Sequence, residues 1–353
     1  MDERRERYFR ILDGLKKTTE ETHKNSRILL IDGLNTFIRS FAVNPSSNDD
    51  GVHVGGMTGF LQSVGYAVRN IKPTRVIICW DGKGGSAKRR KIFPDYKANR
   101  KVRTRLTRMS NYGNVSDESI AMGQQIKRLT QYLEALPVTV LATENIEADD
   151  AIAYICEQIY PNSQKFIMST DKDYLQLVND KVQVWSPTKK KFYFEETILE
   201  EFKVPAKNFL EYRTLLGDSS DNIPGIKGCG LKTLQKRLPI IFEDKKISVQ
   251  DIINYAEDHK DEAKVLKDIS EQSKKIELNF DLMQLREVDI SGYAKTSIMD
   301  IVKRPIQRLI KFEFLKMFLE DRINSTMKNP EFWLQDTWKG LDSYSIVEDK
   351  NEQ

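Results

Sequence analysis

The 353-residue sequence predicts an α/β fold in which a parallel sheet carries helices on both faces. Five short apolar runs have the composition of buried strands, and segments with helical spacing of apolar residues separate most of them. Acidic residues follow four of these runs. Because the functional crevice of such a sheet lies at the carboxyl ends of its strands, these acids are the first candidates for function.

The predicted elements alternate along the chain. Buried strands are predicted at residues 27–31, 76–80, 138–141, 165–169 and 182–185. Helices are predicted at 34–44, 57–71, 120–136 and 301–323, at the acidic segment 147–150, and from Pro94 onward. Residues 1–25 have the pattern of an amphipathic helix, and the tail from Asn329 is predicted to be partly disordered.

The composition is typical of a soluble globular protein of two domains, with 39% hydrophobic and 31% charged residues. No apolar run approaches the roughly 20 residues that span a bilayer, and no secretory signal is recognised. The cysteines Cys79, Cys156 and Cys229 are far apart, which indicates a reduced, cytoplasmic protein without disulfides or a zinc site. Three scattered histidines argue against histidine-centred catalysis.

Seven carboxylates are expected to converge at one edge of the sheet. They are Asp32, Asp81, Glu147, Asp149, Asp150, Asp171 and Asp173. A single aspartate at a strand end is usually a turn or cap residue, but four successive strands that end this way favour a metal site. Oxygen ligands without histidine or cysteine select Mg²⁺ or Mn²⁺. Two such ions about 4 Å apart can activate a water molecule and stabilise the leaving oxygen in phosphodiester cleavage.

A basic segment lies between residues 83 and 108. Eleven bases against one acid give it a charge of +10, so the rest of the chain carries about −6 of the total of +4. A basic block on an otherwise acidic chain indicates that a polyanion binds at one place. The alternative is a solvated or disordered charged loop.

The run from Glu211 to Thr233 contains an acidic turn followed by a turn rich in glycine and proline. Its glycines are expected to leave backbone N–H groups exposed at the start of a helix, where a phosphate can bind. Lys227 and Lys232 could add phosphate contacts, and Asp218 and Asp221 could turn toward the metal site.

Five motifs, in this order, resemble those of the 5′ nuclease family. That family includes the 5′–3′ exonuclease domain of bacterial DNA polymerase I, phage 5′ exonucleases and ribonucleases H, and flap endonucleases. The motifs are C-W-D-G-K (79–83), P-D-Y-K-A-N-R (94–100), I-E-A-D-D-A-I-A (146–153), S-T-D-K-D-Y-L-Q-L-V (169–178) and L-L-G-D-S-S-D-N-I-P-G-I-K-G-C-G-L-K-T (215–233). The resemblance spans about residues 27–290.

The resemblance implies a domain organisation. A PIN-like nuclease core, with a parallel or mixed sheet and helices on both faces, would occupy residues 27–188. A helical arch would lie at about residues 101–120, and a small helix–hairpin–helix-type DNA-binding module at 189–292. The N-terminal helical extension (1–26) and the C-terminal helix and tail (293–353) would flank them.

The resemblance also implies roles for individual residues. A first Mg²⁺ would bind Asp32, Asp81, Glu147, Asp149 and Asp171. A second would bind Asp150, Asp173, Asp218 and Asp221. The scissile phosphate would be engaged by Lys97, Arg89 and Arg100, with Arg90 as the alternative to Arg89. DNA-binding residues would be Lys83, Arg90, Gly225, Lys227, Gly228, Gly230, Lys232 and Thr233.

The implied activity is that of a Mg²⁺-dependent 5′–3′ exonuclease or 5′ flap endonuclease, in which Mn²⁺ can substitute and K⁺ can bind at the glycine turn. A monomer would remove RNA primers or 5′ flaps from DNA and RNA–DNA hybrids, leaving a 5′-phosphate. Two alternatives stay open: a PIN-type ribonuclease for single-stranded RNA, and a non-catalytic structure-specific DNA-binding protein. The aromatic residues of the tail, Phe332, Trp333 and Trp338, suggest docking to a single-strand-binding protein or a sliding clamp.

Overall fold

The sheet at the centre of the protein has six strands in the order β3-β2-β1-β4-β5-β6. The structure, a computed structural model, describes residues 24–101, 106, 112–287 and 289–345. Strands β1 to β5 run parallel, and β6 pairs antiparallel with β5. The strands are β1 (Arg27–Asp32), β2 (Arg75–Trp80), β3 (Thr139–Ala142), β4 (Gln164–Met168), β5 (Val182–Ser186) and β6 (Lys191–Tyr193). The predicted α/β class is confirmed, while β6 is too short for a recognisable apolar pattern.

Helices cover both faces of the sheet and form most of the chain after β6. They are α1 (Gly33–Val43), α2 (Gly55–Ile71), α3 (Ala87–Ile92), α4 (Val115–Glu134), α5 (Ala148–Tyr154), α6 (Glu195–Phe202), α7 (Phe209–Leu216), α8 (Leu231–Arg237), α9 (Val249–Asp258), α10 (Lys264–Glu271), α11 (Ser273–Met283), α12 (Gly292–Lys303), α13 (Lys311–Glu320) and α14 (Pro330–Asp342). A π-helical turn, Ile155–Ile159, continues α5. A short hairpin, β7 (Gly217–Asp218) and β8 (Ile223–Pro224), follows α7.

Alternate residues of β1 face two different hydrophobic clusters. Ile28 and Leu30 belong to a cluster that continues through α5, α7 and α9 as far as α12. Leu29 and Ile31 belong to a second cluster that α2, α4, α13 and α14 complete. All four residues are fully buried. Burial on both faces explains why the strand is a continuous apolar run rather than an alternating one.

The segment after Pro94 differs from its prediction. No helix begins there: residues 94–97 form a turn, and only a 3₁₀ helix, Ala98–Lys101, follows. Lys97 adopts a positive φ of 56°, and its N–H donates to Asp221 O at 2.8 Å. This backbone conformation interrupts a right-handed helix. The helix of the basic segment is instead α3, which lies before Pro94.

The C-terminal region is more ordered than predicted. The helix expected at 301–323 is divided into α12 and α13 on either side of Pro305, since proline does not continue a helix. In the tail expected to be partly disordered, residues 330–342 form α14. Trp338 is fully buried in the second cluster and Trp333 packs edge-on against it, whereas Phe332 is 64% exposed. Trp338 is therefore part of the core and is not available for docking a partner.

Several predictions lie outside the described residues. These are the N-terminal helix, except for residues 24–26, residues 102–105 and 107–111 of the arch predicted at 101–120, and the acidic end of the tail. The described part of the predicted arch range overlaps the start of α4 at Val115. Within the described ranges, no helix is both long enough and apolar enough to cross a membrane. The three cysteines are buried and free.

Candidate metal centre and its basic surroundings

A cavity of about 880 Å³ opens at the carboxyl ends of the parallel strands. Its lining includes Asp32, Asp81, Glu147, Asp149 and Asp171, which are the five residues assigned from the sequence to a first metal ion. Asp32 ends β1, and Asp81 directly follows β2. Because neighbouring parallel strands end at the same edge of the sheet, residues far apart in sequence meet here.

Helix starts position these carboxylates. The N–H of Asn35 donates to Asp32 Oδ1 at 3.1 Å, so Asp32 is the N-cap of α1. The other oxygen, Oδ2, accepts from the hydroxyls of Tyr174 at 3.2 Å and Ser169 at 3.3 Å. Asp81 Oδ1 accepts from the N–H of Ala148, the first residue of α5, at 2.8 Å. Neutral donors thus orient both side chains without neutralising their charge.

Uncompensated negative charge shows in the pKa values of the cavity. Burial raises the pKa of Asp32 to about 7, and the nearby Asp81 and Asp171 add to the shift. Burial raises the pKa of Asp171 as well, and it raises that of Asp149 well above its usual range. Carboxylates whose pKa values stay raised in this way fit a hard divalent cation, which would offset both the burial and the mutual repulsion.

Arg89 holds two acids of the segment 147–150 from the side away from this cavity. Its guanidinium lies 2.5 Å from Glu147 Oε2 and 2.7 Å from Asp150 Oδ1, and its Nε donates to Leu282 O at 2.9 Å. Arg89 is only 8% exposed. Its contact with a substrate phosphate stays a prediction: in this structure the Arg89 guanidinium pairs with the acidic segment, whereas Arg90 is exposed.

Asp150 lies close to Glu147 and Asp149 but lines a different cavity from theirs. The carboxylates of Glu147, Asp149 and Asp150 have oxygens within 4.8 Å of one another, but the Arg89 guanidinium contacts all three residues. Asp150 lines a different cavity, of about 400 Å³, together with Arg89. The two sides of α5 thus divide its acids, with Asp149 facing the larger cavity and Asp150 facing Arg89.

Two bases of the described residues, Lys97 and Arg39, line the larger cavity, and Lys97 is the one that contacts its carboxylates. Its Nζ lies 2.5 Å from Glu147 Oε1 and 3.7 Å from Asp221 Oδ2. Although burial acts to raise the pKa of Glu147, Arg89 and Lys97 outweigh it and the pKa is lowered. The Tyr96 hydroxyl donates to Asp221 at 3.1 Å, which links this carboxylate to the same group. Nothing is described of the Arg100 side chain.

Asp173 and Asp218 form a second acidic group around a residue that the sequence analysis does not identify. Arg213 lies on α7, and its Nη2 is 3.1 Å from Asp173 Oδ1 and 2.5 Å from Asp218 Oδ2. The signal in the sequence is weak: a basic residue one turn before the end of a helix that leads into an acid. Burial and Asp171 raise the pKa of Asp173 to about 7 despite this contact.

The glycine turn borders a second cavity of about 790 Å³. Arg213, Asp218, Gly228 and Gly230 line it. It shares three residues with the first cavity, namely Asn35, Thr170 and Asp171. The glycine turn, Asp218 and the acids of the first cavity therefore surround two adjoining spaces.

The turn itself depends on glycine at two positions. A Cβ on Gly225 would lie 2.0 Å from Leu216 O, and Gly228 has a φ of +86°. The Gly230 N–H was expected to be free to bind a phosphate. It instead donates to Gly228 O at 2.9 Å. Of the other residues assigned to DNA binding, Lys83, Lys227 and Lys232 are exposed. Thr233 is half-buried.

Comparisons with known proteins agree on one group of enzymes. Residues 27–203 match the family model described as 5′-3′ exonuclease, N-terminal resolvase-like domain. A 5′-3′ exonuclease of Bacillus subtilis is 34% identical over 221 residues, covering 60% of this chain and 69% of that protein. The flap endonuclease Xni of Shewanella woodyi is 31% identical over 214 residues, covering 60% and 77%.

Solved structures support the fold. A flap endonuclease of bacteriophage T5, in a pseudo-enzyme–product complex with DNA and metal ions, superposes with a TM-score of 0.59. The match covers 84% of this chain and 99% of that one at 20% identity. The bacteriophage T5 5′-exonuclease with bound divalent zinc gives a TM-score of 0.60, also at 20% identity, covering 84% and 98%.

Proposed function

Since the chain belongs to the 5′–3′ exonuclease family, we propose that it is a metal-dependent nuclease acting on DNA with 5′ ends or 5′ flaps and on RNA–DNA hybrids. It hydrolyses a phosphodiester bond and leaves a 5′-phosphate. In the cell it removes RNA primers or flaps during DNA replication or repair. The single observation that carries the proposal is the convergence of five carboxylates and Lys97 on one cavity.

The proposed cofactor is a pair of Mg²⁺ ions, for which Mn²⁺ can substitute. The first would be held by Asp32, Asp81, Asp149 and Asp171, with Glu147 at the edge of the group. The second would be held by Asp173 and Asp218, with Asp221 nearby. Divalent cations at such sites lower the pKa of water and stabilise the charge of a leaving oxygen. The raised pKa values of Asp32 and Asp149 support a cation here.

We propose that the Lys97 ammonium contacts the scissile phosphate and stabilises the negative charge that develops there. It lies at the wall of the cavity, and among the described residues its Nζ contacts the carboxylates of Glu147 and Asp221. Arg100, three residues later, is proposed to assist. Arg89 and Asp150 act indirectly, because their buried ion pair sets the position of Glu147.

The glycine turn and its lysines are proposed to hold the DNA backbone. Lys227 and Lys232 are exposed beside the second cavity, and the T5 flap endonuclease of the same fold was solved with DNA. Contacts of this kind would be sensitive to salt rather than to sequence. A K⁺ ion at the turn and docking to a single-strand-binding protein or a sliding clamp are further parts of the proposal, as is action as a monomer.

The test is a cleavage assay on a 5′-labelled DNA flap, an RNA–DNA hybrid and a single-stranded RNA, each with Mg²⁺ or with EDTA. We expect cleavage of the first two substrates with Mg²⁺ and none in EDTA, with products that a 5′-phosphate-dependent ligase can join. Cleavage in EDTA would overturn the metal mechanism. Preference for single-stranded RNA would indicate a ribonuclease, and binding without cleavage would indicate a non-catalytic DNA-binding protein.

A further inference from the structure

Arg213 lies between two carboxylates proposed to hold the second metal ion. Its Nη2 contacts Asp173 Oδ1 at 3.1 Å and Asp218 Oδ2 at 2.5 Å, and its Nε lies 3.2 Å from the same Asp173 oxygen. All three side chains are between 12% and 15% exposed. The guanidinium therefore takes the position between the two acids in which a shared cation would be coordinated.

The contacts of Arg213 differ from those of Arg89 in a way that bears on displacement. Arg89 is fixed by a backbone acceptor, Leu282 O, and lines the cavity on the far side of α5. For Arg213, the hydrogen bonds found among the described residues go to carboxylates alone, and its side chain lines the open second cavity. Arg213 can thus leave its partners without breaking a bond to the backbone.

We infer that Arg213 is a positioning residue that holds Asp173 and Asp218 together in the metal-free protein and competes with the second metal ion for them. The inference rests on the proposed function, since it deepens the role of the same metal site. Because an arginine side chain keeps its positive charge in a protein, the metal ion must displace the Arg213 guanidinium to reach the two carboxylates. Two cations a few ångströms apart also repel each other strongly in a partly buried site.

The competition has a consequence for the order of binding. Neutral donors orient Asp32 and Asp81 of the first group, whereas the second ion must displace a guanidinium that contacts both Asp173 and Asp218, so the second ion binds more weakly. Once displaced, Arg213 remains in a cavity that Lys172 and Gly228 also line, where a backbone phosphate can serve as its new partner. Binding of the substrate then tightens binding of the second ion. By thermodynamic linkage, the second ion tightens binding of the substrate by the same factor.

The test is a titration of the full chain with Mn²⁺, followed by electron paramagnetic resonance, in the absence of substrate. The variants are Arg213→Gln and, as a matched control, Lys172→Gln, which removes the same charge from an exposed residue that lines the same cavity. We expect Arg213→Gln to tighten binding of the second Mn²⁺ about tenfold, because a contacting like charge is lost. Lys172→Gln should change it less than about twofold, because exposed charges are screened.

Second-site affinity in Arg213→Gln that equals or falls below that of Lys172→Gln would overturn the inference. Such a result with cleavage intact would leave the proposed function standing. Arginine-dependent Mn²⁺ binding in a protein that cleaves no substrate would support the inference while overturning the proposed function. The two ideas therefore fail separately.

A second measurement covers the case in which Arg213→Gln folds poorly because its acids are left facing each other. Arg213→Lys keeps the positive charge but lacks the planar fork that contacts both carboxylates. Its second Mn²⁺ should bind with an affinity between those of the wild type and Arg213→Gln, and Mn²⁺ should raise its melting temperature more than that of the wild type. Wild-type behaviour of Arg213→Lys in both measurements would contradict the inference.

Discussion

Each of the two acidic groups of the site brings carboxylates close together, but different kinds of donor contact them in the two groups. In the first cavity Asp32 and Asp81 accept hydrogen bonds from neutral donors, and among the described residues no lysine or arginine pairs with either. In the second group Arg213 joins Asp173 to Asp218. A metal ion can therefore reach Asp32 and Asp81 without displacing a base, whereas at Asp173 and Asp218 it must displace the Arg213 guanidinium.

Loss of a ligand should cost most in the first cavity. We expect Asp149→Asn to lower kcat by about 10³-fold, the scale of losing a principal source of transition-state stabilisation. Asp218→Asn should cost about 10- to 100-fold, because Asp173 and Asp171 remain beside it. Cleavage of a labelled flap in Mg²⁺ measures both. Asp180→Asn, an exposed residue at the other end of the sheet, is the control, and equal losses in the two ligand variants would remove the distinction.

The ion pair behind the first cavity should show itself in stability. Arg89→Gln leaves Glu147 and Asp150 without their buried partner, so the free energy of unfolding should fall by about 3 kcal/mol. The neighbouring Arg90 is exposed, and Arg90→Gln should change it by less than about 0.5 kcal/mol. Urea denaturation in EDTA measures both variants. A similar small effect in both would mean that Arg89 does not hold the acidic segment.

The unpaired charge of the first cavity predicts a pH dependence of the metal-free protein. The pKa of Asp32 is raised from 3.8 to about 7, so the folded state binds the proton more tightly than the unfolded state does. The contribution of Asp32 to the free energy of unfolding is therefore fully present below about pH 4. It is lost as the pH rises through 7, a change of about 2 kcal/mol or more. Asp32→Asn should therefore be more stable than the wild type at pH 8 in EDTA.

Denaturation curves at pH 5 and pH 8 check this sign. The wild type and the control Asp180→Asn should both lose stability between the two pH values, and Asp32→Asn should lose less. Added Mg²⁺ should stabilise the wild type more at pH 8 than at pH 5, because the cation replaces the proton. A wild type that gains stability from pH 5 to pH 8 in EDTA, with Asp32→Asn showing the same gain, would contradict the prediction.

The smallest effect on metal affinity is expected at Asp150, which was predicted from the sequence to bind metal but contacts Arg89 in the structure. Asp150 contacts Arg89 and lines the far cavity, so Asp150→Asn should leave Mn²⁺ affinity within about twofold of the wild type, since its charge is already paired. Asp149→Asn should weaken the first Mn²⁺ about tenfold or more, on the scale of losing a directly coordinating charge. An equal loss of Mn²⁺ affinity in the two variants would indicate that Asp150 is a metal ligand.

Much of the fold was predictable from local patterns. The apolar runs identify the five parallel strands, because a strand buried on both faces is apolar at every position, as Ile28 to Ile31 show. The first ligand group was predictable for a related reason. Parallel strands end at one edge, so the acids that follow them meet there whatever the distance along the chain.

Other features depended on contacts that no local pattern contains. Adjacent residues of a helix point about 100° apart, so only the position of α3 against Leu282 and α5 determines that Arg89 is buried and Arg90 exposed. The same geometry directs Asp149 and Asp150 to different cavities. Arg213 is separated from Asp173 by 40 residues, and their contact exists only because α7 packs beside the strand-end acids. The sequence by itself determined which acids gather at the sheet edge, and the tertiary structure decided which base each acid meets, because that choice depends on helix orientation and long-range packing.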